Sequence, residues 1–127
     1  MPELPVDDPA ALAEVLESFA RYEKALTTND IAVLDELFHD SPNTVRLGAG
    51  EELFGYPAIA EFRRARPASG LARDEVRSQV TVYGDAFAVT SLVFTREGTV
   101  GFGRQTQSWV RFADGWRIVA AHVSQRG

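Results

Sequence analysis

Apolar side chains recur along this chain with two different periods. Near the N-terminus Leu12, Val15, Leu16, Phe19, Tyr22 and Leu26 follow one another at three- and four-residue intervals, which lays them along one face of a helix. Asp8-Pro9 supplies its start, since an Asp side chain accepts hydrogen bonds from the first free amides and Pro suits the first helical position. The spacing predicts a helix from about Pro9 to Thr27, with Glu14, Glu17, Arg21 and Lys24 on its solvated face and Glu17 placed to pair with Arg21. Thr28-Asn29-Asp30 interrupts the helix, and Ile31, Leu34, Leu37 and Phe38 define a second, shorter one. After the turn cluster Asp40-Ser41-Pro42-Asn43, the segments TVRLG and EELFG read as a small hairpin around Gly48-Ala49-Gly50. Gly55-Tyr56-Pro57 opens a third helix with Ile59 and Phe62 inward and Arg63, Arg64 and Arg66 at its end, complementing the helix dipole. Pro67-Ala68-Ser69-Gly70 ends it.

From Leu71 onward the period is two. Val76, Val80 and Val82 alternate with Arg77, Gln79 and Thr81, and AFAVTSLVFT follows a Gly84-Asp85 turn as a strand apolar on both faces. The stretch from Thr99 to Gln125 reads as two long strands joined at Asp114-Gly115, a dipeptide suited to a tight hairpin. Two helices, a small hairpin, one helix and a four-stranded antiparallel meander make an α+β fold, with helices in the first half packed on a strongly bent sheet. The register of the last ribbon has two solutions. A two-residue Asp114-Gly115 loop pairs Trp109 with Ala120, Gln107 with His122 and Gln105 with Ser124 on one face; a loop one residue longer puts Arg104, Thr106 and Ser108 there instead.

Composition narrows the function classes. The 127 residues, 45% hydrophobic, suffice for one domain spanning 1–127 and are too few for two ordinary ones. The absence of Cys excludes disulfides and thiolate chemistry, and the sequence has neither a signal-peptide pattern nor a long apolar run, so a cytoplasmic protein without a membrane partner is expected. A net charge of -5 argues against nucleic acid as a partner, while single arginines in strands could still hold a small anion.

Three residues stand out chemically. Tyr22 lies on the buried stripe of the first helix, where it is either a core tyrosine or a phenol donating a proton or hydrogen bond inside a pocket. Arg46 alternates with Val45 and Leu47, and is either a surface residue or, facing a cavity, a fork for a carboxylate. His122 sits in a row with Trp116, Ile118, Ala120 and Ser124, as a hydrogen-bonded core residue or a pocket group. His39 and His122, the only histidines, lack metal-ligand spacing, and no dinucleotide loop or nucleophile elbow is present, so neither a metal nor another cofactor is expected.

The segments SFARYEKALTTND, SPNTVRLGAGEELFGYPAI and WVRFADGWRIVAAHVSQ together resemble the nuclear transport factor 2-like, or SnoaL-like, superfamily, and within it the AtzH/HpxZ family. The resemblance implies a cone-shaped α+β fold with a pocket between helices and sheet. It further implies a cofactor-independent decarboxylase of cyanuric acid catabolism, converting 1,3-dicarboxyurea to allophanate with Tyr22 and Arg46 in the active site. On that reading the small dicarboxylate is clamped by Arg46 and receives a hydrogen bond or proton from Tyr22, while Gln105, Gln107, Trp109 and His122 shape the rest of the pocket. The alternative is a non-catalytic protein that binds a small acid or assists an amidase of ureide or oxalurate catabolism. A third option, isomerisation or cyclisation with an Asp or His base, lacks a carboxylate clearly on a buried face. Members of the superfamily often pair through the outer sheet face, which leads to an expected homodimer or higher oligomer with Val119, Ala121 and Val123 in the contact.

Overall fold

The computed structural model describes residues 3–127. Helix α1 spans Pro9–Thr27, α2 Ile31–Leu37 and α3 Tyr56–Ala65, while the strands are β1 Val45–Leu47, β2 Glu52–Phe54, β3 Asp74–Tyr83, β4 Phe87–Thr95, β5 Phe102–Phe112 and β6 Gly115–Arg126. Local chemistry sets the helix starts. Asp8 accepts a hydrogen bond from the Ala11 amide at 3.1 Å and Asp30 one from the Val33 amide at 3.2 Å, while Gly55 precedes α3 at a φ of 91°, a conformation that favours glycine. Arg21 reaches across to Glu36 on α2 rather than along its own helix to Glu17, so the polar face of α1 ties the two helices together.

The strands form one curved six-stranded sheet in the order β2-β1-β6-β5-β4-β3. The small hairpin is thus not separate from the meander: β1 adds to it by pairing in parallel with β6, Arg46 opposite Ala121. Helix α1 lays Ala11, Val15, Phe19, Tyr22, Ala25 and Leu26 on the concave side, where they meet Leu34, Leu37 and Phe38 from the α2 region and Leu92, Phe94, Trp109 and Ile118 from the sheet. Fully burying each of the larger apolar groups contributes about 1.5–3 kcal/mol, so this layer is what holds helix and sheet together.

Over most of its length the ribbon takes the second expected pairing, with Arg104 opposite Ser124, Thr106 opposite His122 and Ser108 opposite Ala120. It reaches that pairing through a bulge rather than a longer loop, and only the part next to the turn differs from both expectations. Phe112 pairs with Gly115, which puts Ala113-Asp114 at the tip, and a bulge in β6 shifts the pairing from Trp109↔Ile118 to Ser108↔Ala120. A bulge inserts one residue and so reverses which face the following residues take. Trp116 and Ile118 point inward, and beyond the bulge Ala121 and Val123 do so too, while His122 sits exposed on the convex face opposite Thr106. The expected inward His122 is thereby corrected, as is the expected outward apolar row of Val119, Ala121 and Val123.

Candidate functional site

The open end of the layer between helices and sheet contains a cavity of about 240 Å³. Tyr22 and Leu26 reach it from α1, and Arg46 and Glu51 from the β1–β2 hairpin. Phe62 and Arg66 come from α3 and the residue after it, Leu71 and Arg73 from the segment leading into β3, Arg96 from the end of β4, and Gln105 and Val123 from the two long strands.

Each polar group is placed by its element. Tyr22 is 4% exposed, its ring 6.3 Å from that of Phe38, because helical spacing directs it to the face shared with Phe19 and Leu26. Arg46 faces inward because its strand neighbours, Ala121 on β6 and Leu53 on β2, share its face of the sheet. Its Nη1 donates to Glu51 Oε1 at 2.6 Å, and its guanidinium lies 5.4 Å from the Phe62 ring. Gly48 makes room for that carboxylate: a β-carbon there would stand 1.8 Å from Glu51 Oε1.

Arg73 and Arg96 flank the open end of the β3–β4 hairpin, one residue beyond the terminal pair Asp74↔Thr95. Both guanidiniums stack on Phe94, at 4.3 and 4.9 Å from its ring centre. The Phe94 ring in turn crosses the bare backbone of Gly103, its partner on β5, where a β-carbon would come within 2.1 Å of the ring. Arg73, with a side chain only 2% exposed, forks onto both oxygens of Glu23 and also donates to Gln105 Oε1 at 3.2 Å.

Four guanidinium groups therefore converge on one small cavity, and only two have carboxylates: Arg46 with Glu51 and Arg73 with Glu23. Among the described residues Arg66 and Arg96 have none. Arg66 Nε and Nη2, Arg96 Nε and Gln105 Nε2 are buried without a protein partner. Burial pushes the Arg66 guanidinium below its ordinary range; Tyr22 opposes this, and Arg46, Arg63 and Arg96 add to it. Burial likewise lowers Arg96, reinforced by Arg73 beside it. Arginine remains protonated near neutral pH even so, and an unpaired buried donor or charge is costly unless something binds it. The pocket of this acidic protein thus carries more positive than negative charge.

Of the residues expected in the pocket, Tyr22, Arg46 and Gln105 line one cavity. Gln107 and Trp109 do not: both are fully buried deeper in the core, where Trp109 Nε1 donates to Thr90 Oγ1 at 3.1 Å and Thr90 Oγ1 donates to Gln107 Oε1 at 3.1 Å. His122 is on the other face of the sheet. Sequence reasoning missed Arg73, Arg96 and Glu51 and saw Arg66 only as a helix-ending cation. A larger recess of about 580 Å³ lies between α2 and the β5–β6 turn, beside Asp35, His39 and Tyr56. Its Tyr56 hydroxyl already donates to the Asp35 carbonyl at 2.9 Å, and none of its side-chain polar atoms is buried without a partner. Among the described residues no group of three His, Cys, Asp or Glu side chains could hold a metal ion, and no helix is long and apolar enough to cross a membrane.

The helices on a curved sheet, with a pocket at the open end, define a protein of the nuclear transport factor 2-like fold. A putative ketosteroid isomerase from Parabacteroides distasonis shares that fold at 18% identity and a TM-score of 0.69, over 85% of this chain and 84% of its own. A sequence profile of the AtzH-like family matches residues 4–127, and the chain belongs to that family. A structure from Pectobacterium atrosepticum, of unknown function, is 52% identical with a TM-score of 0.96, covering 99% of this chain and 100% of that one. A cystatin-like fold protein from Burkholderia xenovorans is 42% identical with a TM-score of 0.92 over 96% of each chain. No curated protein matches the sequence.

Proposed function

We propose that this protein is a cofactor-independent decarboxylase that converts 1,3-dicarboxyurea to allophanate. The observation that carries this reading is the shared cavity: the Tyr22 phenol and the Arg46 guanidinium open onto one small pocket with more positive than negative charge. Family membership supports it. In the reaction, the bond between one carboxylate carbon and its nitrogen breaks. The electron pair moves onto nitrogen and is delocalised into the urea carbonyl, carbon dioxide leaves, and nitrogen takes up one proton. The dianion and one proton thus become allophanate monoanion and carbon dioxide, with no electron-sink cofactor needed because the urea accepts the pair.

Arg46 engages Glu51 through one nitrogen, and its remaining donors suit a substrate carboxylate. Tyr22 donates the proton, or a hydrogen bond that stabilises the charge developing on the urea, and recovers its proton from solvent. The free amide nitrogen of Gln105 is a further donor for the urea carbonyl. Leu26, Phe62, Leu71 and Val123 supply apolar walls that favour a carboxylate leaving as neutral carbon dioxide over one that keeps its charge. Glu23 and Glu51 are both held by arginines, which leaves no free carboxylate base in this pocket among the described residues.

Tyr22→Phe and Arg46→Ala should each lower turnover of dicarboxyurea by 10- to 10⁴-fold, roughly 1.4 to 5 kcal/mol of transition-state stabilisation, as followed by carbon dioxide release. Wild-type rates in both folded variants would remove the assignment. Tight binding by calorimetry without product would instead favour the non-catalytic reading, an acid-binding or amidase-accessory protein.

A further inference from the structure

The mechanism above uses Tyr22, Arg46 and Gln105 and leaves the two uncompensated arginines without a role. Arg66 follows α3 directly and Arg96 follows β4 directly, so each is anchored by a rigid element rather than by a long loop. Arg66 has two buried nitrogens without partners and Arg96 has one, both within the same cavity as Tyr22. Tyr22 lines the same cavity and is near enough to both guanidiniums to favour their charged forms. The stacking of Arg96 on Phe94, seated over Gly103, keeps it from swinging away to water. A half-buried guanidinium with buried, unpaired donor nitrogens is preorganised for an anion.

We propose that Arg66 and Arg96 are the specificity-determining pair of this site, matching its two uncompensated positive charges to a ligand with two carboxylates and discriminating against one with a single carboxylate. Resting on the decarboxylase reading, the pair also favours product release. The substrate enters as a dianion and the product is a monoanion, so loss of carbon dioxide removes one of the two charges that hold the ligand, and product is released more readily than substrate.

Glutarate is a stable probe with two carboxylates separated by a three-atom link, as in dicarboxyurea, and its half-amide glutaramate has the same length with one charge. Calorimetry on the wild type should show glutarate binding at least about tenfold more tightly than glutaramate, with the preference weakening as salt is added. Arg66→Gln and Arg96→Gln should each reduce that preference toward unity, while Arg96→Lys, which keeps the charge, should retain part of it. Thermal unfolding of each unliganded variant confirms that the fold is kept. Absence of glutarate binding to the wild type, or an unchanged preference in both Gln variants, overturns the proposal. A protein that selects glutarate in this way but does not decarboxylate dicarboxyurea would contradict the proposed reaction and leave the charge selection standing.

Discussion

At the scale of single residues, the site holds charge that works against folding. Arg66 and Arg96 are lowered from their ordinary range in the folded protein, so at any pH below that lowered range their protonation opposes the native state, and the penalty is recovered only as the pH rises through it. Replacing such a group by an apolar one of similar length should therefore stabilise the unliganded protein. Arg96→Met is expected to raise the midpoint of denaturant unfolding while weakening dianion binding; a lowered midpoint would show that Arg96 is structural. Only part of this was legible in the sequence. Tyr22 could be placed inside because it falls on a regular stripe, but Arg46 could not, because the strand that turns it inward, β6, is remote in sequence and pairs with β1 in parallel. Arg73 and Arg96 lie just outside their strands, and their opposition depends on a bulge between Glu75 and Arg77 that alternation does not reveal.

At the scale of elements, the helices, the small hairpin and the strands all lie where periodicity and turn chemistry put them. Helix α1 even shares both ends, Pro9 and Thr27, with its expected span. What periodicity could not supply was the face of the last ribbon. One inserted residue in β6 sends His122 out and draws Ala121 and Val123 in, so a candidate pocket residue and a candidate contact face exchanged sides. The glycines, read from sequence as marks of a curved sheet, have a sharper role on β5. Gly103 lets Phe94 cross its backbone and carry two of the four pocket arginines. Gly103→Ala should force the ring aside, costing about 1–3 kcal/mol of stability by thermal or chemical unfolding and weakening glutarate binding in the same variant. Unaltered binding would mean that the Phe94 platform does not position the arginines.

At the scale of the whole molecule, a net charge of -5 surrounds a pocket with two uncompensated positive charges. That arrangement disfavours polyanions while providing for one small, doubly charged acid. The convex face of the sheet remains the proposed contact between copies of the chain, now with Tyr83 and Phe87 as its exposed aromatic pair in place of the inward Ala121 and Val123. Light scattering at micromolar concentration should give at least twice the 14.0 kDa mass of one chain, and a monomer mass would contradict the proposal. The central claim concerns the pocket, and it is tested most directly by adding purified protein to carbon-13-labelled dicarboxyurea and following the label by NMR against a protein-free control. The account predicts carbon dioxide and allophanate appearing together, one for one, well above the uncatalysed rate. Substrate decaying at the control rate with wild-type protein present would contradict it.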